Sequence, residues 1–123
     1  MVRQFNTDVA KLCGPNAAVV VEIIMSDIIH GYDPSTKKNL GERTWVKCSQ
    51  KDIAYRSGYL SADSVSTAIG KLVNHNIVKV MNLNDNKFDH TYWYTITNCG
   101  KALLLDGNSY SKYDRAESRD RIN

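Results

Sequence analysis

Residues 49–76 read SQKDIAYRSGYLSADSVSTAIGKLVNHN, and this stretch decides the fold. Ser49 followed three residues later by Asp52 is a pattern that starts helices, because the serine side chain caps free backbone N–H groups in the first turn. We therefore predict a helix over residues 50–56. Gly58 ends this helix, because glycine readily adopts the backbone conformations that close a helix and begin a turn.

A second helix follows the turn, over residues 61–75, and Ser61 caps its first turn. Its apolar residues recur at helical spacing and form a core stripe of Val65, Ala68, Ile69, Leu72 and Val73. The opposite face carries Asp63, Ser64, Thr67, Gly70, Lys71 and Asn74. Packing of the stripe on the first helix fixes the angle between the two helices, so we expect the opposite face to point outward.

Strand-like segments flank these two helices. Residues 43–48 precede them as a short strand, and residues 77–81 and 91–96 follow them as a hairpin with a polar connection. A last helix starts at Thr97. We interpret the polar residues of the connection as turn formers, namely Asn82, Asn84, Asn86 and Asp89. We assign the large aromatic residues Trp45, Tyr92, Trp93 and Tyr94 to core and sheet packing rather than to a stacking platform for single strands.

Two further helices are predicted upstream, a short one from residue 6 or 7 to residue 12 and a longer one over residues 15–30. The longer helix has a very broad apolar stripe, so it is either central to the core or shared with another subunit. Residues 31–42 have little to bury and are interpreted as a mobile loop. Residues 106–123 are polar, and we predict a disordered tail there.

The predicted fold class is mainly α with a small antiparallel β-sheet (α+β). One domain is expected over residues 1–105, with N-terminal helices at 6–30 and a core unit at 43–105, because 123 residues can bury a single core without disulfides. The chain has no apolar run long enough to cross a membrane and no apolar segment near its start that directs secretion. We therefore expect a cytoplasmic protein with no membrane partner.

Charge and motif content narrow the function. The net charge of +3 falls entirely between residues 41 and 105, and a localised positive excess suits phosphate binding. Cys13, Cys48 and Cys99 lie far apart, with no histidine at zinc-finger spacing, so we expect buried thiols and neither a metal nor another cofactor. The sequence contains no Walker loop, no G-x-S-x-G and no H-E-x-x-H, so we do not expect an enzyme.

The order of strand, helix, turn, helix and hairpin resembles the winged helix-turn-helix domain, here with extra N-terminal helices. WVKCSQKDIA at residues 45–54 resembles the W-V-x-x-S-x-x-x-I/L-A entry of such domains in phage and plasmid replication proteins of the replication initiator N-terminal type. KLVNHNIV at 71–78 is similar to their K-L-x-x-x-G-L-I segment, with Asn76 where glycine is usual. TYWYTIT at 91–97, followed three residues later by glycine, resembles a Y-x-I/L-T-x-x-G close that MarR-type regulators share. The resemblance covers about residues 5–105.

The resemblance implies a homodimer that binds double-stranded DNA, with the second helix in the major groove and the hairpin beside it. It implies a role in transcription regulation or replication initiation for a phage, plasmid or other mobile element. The expected DNA-contacting residues are Lys51, Arg56, Ser61, Ser64, Thr67, Lys71, Asn74, Lys87 and His90. The dimer surface is expected on the helix over residues 15–30 or on the last helix. The alternative is a protein-binding adaptor or inhibitor on the same scaffold, which targets a host or replication protein.

Overall fold

The computed structural model describes residues 6–105, which form five helices and a four-stranded antiparallel sheet. The elements are α1 (Thr7–Cys13), α2 (Pro15–His30), β1 (Lys37–Leu40), β2 (Arg43–Lys47), α3 (Gln50–Ser57), α4 (Ala62–Asn74), β3 (Val78–Met81), β4 (Trp93–Ile96) and α5 (Asn98–Leu105). The expected fold class, mainly α with a small antiparallel sheet, is confirmed. Residues 106–123, for which we predicted a disordered tail, lie outside the described residues.

Serine caps begin α3 and α4, as the sequence predicts. The Ser49 hydroxyl accepts a hydrogen bond from the Asp52 N–H at 3.0 Å, and the Ser61 hydroxyl accepts one from the Ser64 N–H at 3.1 Å. Gly58 follows α3 with a φ of 85°, a left-handed conformation that glycine adopts at no steric cost. Local capping and turn chemistry therefore set the bounds of both helices, which begin within one residue of their predicted positions.

The prediction of a mobile loop over residues 31–42 is wrong for its second half, because β1 pairs antiparallel with β2 there. Gly41 has a φ of 63° and opens the two-residue turn that joins the two strands. The Lys38 Nζ lies 5.0 Å from the centre of the Trp93 ring, which stabilises β1 against the sheet by a cation–π contact. The sequence of β1, KKNL, lacks the alternation by which strands are recognised, so this strand depends on contacts with residues distant in sequence.

The sheet has the strand order β1-β2-β4-β3, so β1 and β3 are its edges. Val46, Tyr94 and Ile96 belong to the main core, which the helices share. Trp45 and Trp93 alternate with these residues along β2 and β4, so they lie on the opposite face of the sheet, and both are buried. Trp45, Trp93 and Tyr94 therefore pack in the core and sheet, as predicted, with the two tryptophans in a second small buried layer outside the main core. The prediction is wrong for Tyr92, which is 49% exposed.

Helix α2 lies in the centre of the core, which is the first of the two positions expected for it. Its residues are buried almost continuously along the first two turns and a half, as Ala17, Ala18, Val19, Val20, Val21, Ile23 and Ile24. It contacts α1, α3, α4, β2 and β4. The apolar side chains up to Ile24 are therefore buried within the protomer, whereas Ile29 in the last turn is 61% exposed. Helix α5 likewise turns Ala102 and Leu103 inward.

A buried junction links the end of α4 to the start of α5. Asn76 adopts the left-handed conformation with a φ of 60°, which asparagine tolerates better than most residues other than glycine. The fully buried Thr97 hydroxyl accepts a hydrogen bond from the Gly100 N–H at 2.9 Å and contacts the carbonyl oxygens of Asn76 and Ile77. The T-x-x-G segment therefore has a structural role, which is to cap α5 and hold it against the connection between α4 and β3.

Candidate functional site

The outward face of α4 is built from small side chains. Directly opposite the buried stripe stand Asp63, Thr67, Gly70 and Asn74, all of them exposed. The stripe itself is buried as predicted except at Val73, where the prediction is wrong because the side chain is 41% exposed. A Cβ atom added to Gly70 would meet no atom within 4 Å, so no contact within the described fold requires glycine there. This face therefore allows a ligand to approach the helix backbone closely, with Thr67 and Asn74 as hydrogen-bonding groups and Asp63 as a negative charge.

A groove of about 420 Å³ lies beside the N-terminus of α4, and we call it the helix–hairpin groove. It is lined by Lys51 from the first turn of α3, Ala62 from the first turn of α4, and His90 and Tyr92 from the segment that leads into β4. Burial raises the pKa of Tyr94, which also lines the groove, to about 12, so its hydroxyl stays protonated. The groove brings together Lys51 and His90, two predicted DNA-contacting residues that are 39 positions apart in the sequence.

The other side of α4 borders a second groove, of about 300 Å³, which we call the junction groove. Ser64, Thr67 and Lys71 line it from α4, and Pro15 and Asn16 line it from the start of α2. The junction between α1 and α2 is therefore part of this surface, which the sequence analysis did not foresee. Its residues give no local signal for such a position, because they reach α4 only through the packing of α2 in the core.

Arg56, predicted to contact DNA, is instead held within the protein. Its two terminal nitrogens each lie 2.7 Å from an oxygen of Asp27, and its Nε lies 3.2 Å from Oδ2 of Asp52. The hydrogen bonds with Asp27 raise the pKa of Arg56, so the guanidinium stays charged. The correction is that Arg56 joins α3 to α2, and its position gives it a structural role.

The remaining predicted residues divide between caps and exposed positions. Ser61 and Ser64 serve the start of α4, where their hydroxyl oxygens lie 3.0 Å apart. Lys87 is exposed in the connection between β3 and β4, with its Nζ 5.5 Å from the ring centre of the exposed Phe88. Lys87 lines neither the helix–hairpin groove nor the junction groove. The structure therefore places it apart from the other predicted contacts.

The connection over residues 82–92 is held by its own asparagine side chains. Asn82 Oδ1 accepts the backbone N–H of Asn84 at 3.0 Å, and Asn86 Oδ1 accepts that of Phe88 at 2.9 Å. These bonds confirm the interpretation of the polar residues as turn formers.

Asn84 also anchors the connection to the sheet. Its Oδ1 accepts the indole N–H of Trp93 at 2.8 Å, while its Nδ2 donates to the backbone carbonyl of Thr91 at 2.7 Å. From β1, the Lys38 Nζ donates to the Leu83 carbonyl at 3.2 Å. The connection is therefore held to Trp93 through the Asn84 side chain and to β1 through the Leu83 carbonyl.

The carboxylate of Asp89 supplies a pH-dependent contact at the base of the connection. It is bound by Lys47 and accepts the Thr91 N–H, and together these hold the pKa of Asp89 at about 2, below its usual 3.8. Because the folded pKa lies below the unfolded one, this contact contributes fully to stability above about pH 4, and the contribution is lost as the pH falls toward 2. We expect the Asp89 carboxyl resonance in NMR to titrate with a midpoint near 2 in the folded chain.

Lys47 makes the largest contribution to the lowered pKa of Asp89, so a variant at Lys47 provides the control. Replacing Lys47 with methionine should raise the Asp89 midpoint toward the value measured in the urea-unfolded chain. A midpoint near 3.8 in the unaltered folded protein would show that the contact between Lys47 and Asp89 does not persist in solution.

All three cysteines are buried free thiols, as expected. Burial and the hydrogen bond from Cys48 to Asp52 raise the pKa of Cys48 to about 12, so this thiol is protonated at neutral pH and is a poor nucleophile. Within residues 6–105, no three histidine, cysteine or acidic side chains are placed to hold a metal ion.

The chain matches no protein-family model, no curated protein and no solved structure. The resemblance to winged helix-turn-helix domains therefore stays a prediction. Among the described helices, the longest spans 16 residues, and none has the length and apolar content needed to cross a membrane.

Proposed function

We propose that this chain is a winged helix-turn-helix protein that binds double-stranded DNA. The observation that carries the proposal is the helix–hairpin groove, where the first turns of α3 and α4 meet the segment that leads into β4. This convergence brings a basic side chain of α3 and the hairpin together beside the first turn of α4. A winged helix uses such a surface to lay one helix in the major groove and its hairpin beside it.

The α4 face supports contact with base edges. Thr67 and Asn74 are exposed on it and can donate to or accept from bases, and Gly70 between them leaves room for the helix backbone to come close. Since the major groove of B-DNA is about 12 Å wide and an α-helix is about 10–12 Å across with its side chains, small side chains favour deep insertion.

Phosphate contacts would come from both sides of this face. Lys51 and His90 stand on the helix–hairpin groove, and Lys71 stands on the junction groove across α4. Lysines placed on either side of an inserted helix match the two phosphate strands that border a major groove. Lys87 in the connection would reach a more distant phosphate, whereas Arg56 takes no part because Asp27 holds it.

The proposed setting is the cytoplasm, on DNA of a phage, plasmid or other mobile element, in transcription regulation or replication initiation. Homodimerisation stays a prediction, and sedimentation of the full chain over a range of concentrations tests it. On α2, the side chains up to Ile24 lie in the core, so a dimer surface on this helix would be limited to its last turn, where Ile29 is exposed.

Binding to duplex DNA from the genomic neighbourhood of the coding sequence tests the proposal, with fluorescence anisotropy at about 50 and 200 mM salt. We expect Lys51→Gln and Lys71→Gln each to reduce the slope of log Kd against log salt by about 1, since each removes one phosphate contact. Thr67→Glu should weaken binding at least about tenfold, because it sets a carboxylate against the DNA. Lys101→Gln on α5 is the matched control and should leave both quantities unchanged.

Absence of binding at the lower salt concentration would overturn the proposal. Equal effects of the Lys51, Lys71 and Lys101 substitutions would also contradict it, since general charge rather than this surface would then account for the affinity.

A protein-binding adaptor is the second candidate function. It is favoured by the charge of the α4 face itself, which carries Asp63 and no cation and therefore does not attract a polyanion such as DNA. Loss of a biological effect by Thr67→Glu in a protein that binds no DNA would support the adaptor.

A further inference from the structure

The helix–hairpin groove contains one side chain whose charge can change near neutral pH. His90 lines the groove from the segment that leads into β4, and it is exposed to solvent. Histidine is the side chain that gains or loses its charge between about pH 5 and pH 8. The protonation of His90 therefore determines whether the groove presents one cation or two to a ligand.

Both basic side chains of the groove are available to a ligand. Within residues 6–105, neither the Lys51 ammonium nor the His90 imidazole makes a hydrogen bond or an ion pair. None of the described residues that line the groove is acidic. An anion that enters the groove would therefore be the first counter-charge for Lys51 and for a protonated His90.

The nearest carboxylates are engaged outside the groove. Asp89 precedes His90 in the sequence, but its carboxylate is bound by Lys47. Asp52, on α3 next to Lys51, contacts the Nε of Arg56 at 3.2 Å. Asp63, in the first turn of α4, lines the junction groove instead.

The other titratable side chains of the groove stay neutral where histidine changes its charge. Burial raises the pKa of both Cys48 and Tyr94 to about 12, and the remaining one is the phenol of Tyr92. His90 is therefore the residue of this groove through which its charge can respond to pH near neutrality.

A backbone phosphate of DNA would supply the counter-charge that the groove lacks. A hydrogen bond between a charged donor and a charged acceptor is about twice as strong as one between neutral groups, so a phosphate favours the imidazolium over the neutral ring. The first turns of α3 and α4 border the same groove, and the positive end of a helix dipole also favours an anion. Because linkage is reciprocal, protonation of His90 strengthens phosphate binding by the same factor.

We propose that His90 contacts a DNA phosphate in the helix–hairpin groove as an imidazolium, so that DNA binding takes up a proton from solvent and strengthens as the pH falls. This inference rests on the proposed function, because it needs DNA in the groove. It adds a regulation to that function, since the affinity then depends on pH through one named side chain.

Fluorescence anisotropy with the full chain and one duplex DNA tests the inference at about pH 5.5 and about pH 7.5. One phosphate contact changes the affinity about tenfold at about 100 mM salt, so we expect Kd to be about tenfold lower at the lower pH. The slope of log Kd against log salt should also be steeper by about 1 at the lower pH, because one more phosphate is neutralised.

Two substitutions of His90 separate its charge from its hydrogen bonding. His90→Gln keeps a hydrogen-bond donor but cannot become a cation, so at both pH values its Kd should match that of the parent at the higher pH. His90→Lys is charged throughout, so at both pH values its Kd should match that of the parent at the lower pH. His30→Gln is the matched control, because His30 is an exposed histidine at the end of α2 and does not line the groove. This variant should keep the full pH dependence.

Calorimetry measures the proton directly. Binding at about pH 6.5 in two buffers with different ionisation enthalpies gives the number of protons taken up when the complex forms. We expect a net uptake between zero and one proton for the parent and for His30→Gln, and no uptake for His90→Gln or His90→Lys.

The outcomes distinguish this inference from the proposed function. DNA binding with the same Kd at both pH values would overturn the inference and leave the proposed function standing. A pH dependence that persists in His90→Gln would also overturn it, since another group would then take up the proton. Absence of DNA binding at both pH values and about 50 mM salt would overturn the two together.

Discussion

Replacing Gly100 with alanine is expected to lower the free energy of unfolding by about 3 kcal/mol, at the upper end of the usual cost of overpacking. A Cβ atom at this position would lie 2.4 Å from the backbone carbonyl oxygen of Ile77, and 3.0 Å from side-chain carbons of Ile77 and Ile96. The carbonyl cannot move aside freely, because Thr97 donates to it. Helix α5 must therefore shift, and the shift breaks the buried junction that Thr97 caps.

Gly70→Ala supplies a matched control in another helix. Its Cβ meets open space, so the substitution should raise the free energy of unfolding by about 1 kcal/mol, the usual helix-propensity difference between alanine and glycine. Urea denaturation of both variants measures the two effects, with opposite signs expected. A Gly100→Ala protein within about 0.5 kcal/mol of the parent would contradict the close approach of α5 to Ile77.

Replacing Arg56 with methionine is expected to lower the free energy of unfolding by about 2 kcal/mol, because it leaves the Asp27 carboxylate without its two hydrogen bonds. Breaking a fully buried ion pair costs about 3–5 kcal/mol. The smaller figure follows because 34% of the Arg56 side chain and 26% of the Asp27 side chain reach solvent.

The double variant Asp27→Leu with Arg56→Met separates the ion pair from the packing of α2 on α3. Replacing both partners removes the unpaired charge, so its stability should recover most of the loss. Urea denaturation measures four proteins, namely the parent, Arg56→Met, Asp27→Leu and the double variant, and a coupling energy near zero would mean that Arg56 and Asp27 do not interact in solution. Measured in parallel, the DNA affinity of Arg56→Met should match that of the parent at temperatures where both are folded.

The sequence predicts the parts of the fold that depend on neighbouring residues. Ser49, Ser61 and Gly58 act through groups within a few positions, so the bounds of α3 and α4 could be derived from local patterns. The same holds for the asparagine turns of the connection, whose side chains bond two residues along. Local chemistry also accounts for the left-handed Asn76, since asparagine tolerates that conformation.

What the sequence could not predict depends on contacts between residues far apart in the chain. Strand β1 is stabilised across the sheet by Trp93, 55 positions after Lys38, so its own four residues carry no strand pattern. Nothing in the sequence around Arg56 distinguishes it from a surface cation, and only the packing of α3 on α2 brings it to Asp27. For the candidate site, helices α3 and α4 and the outward face of α4 could be predicted, while the contribution of Pro15 and Asn16 to the junction groove could not.

The anchoring of the connection over residues 82–92 has a consequence for recognition. Trp93 holds Asn84, and β1 reaches the same segment through Lys38 and the Leu83 carbonyl. The conformational entropy of these residues is thus lost when the chain folds, and not when a ligand arrives. Ordering a loop on association weakens affinity, so a preorganised connection retains more of the free energy of each contact it makes. Lys87 and Phe88 would therefore contact a ligand from a connection whose backbone conformation is already fixed.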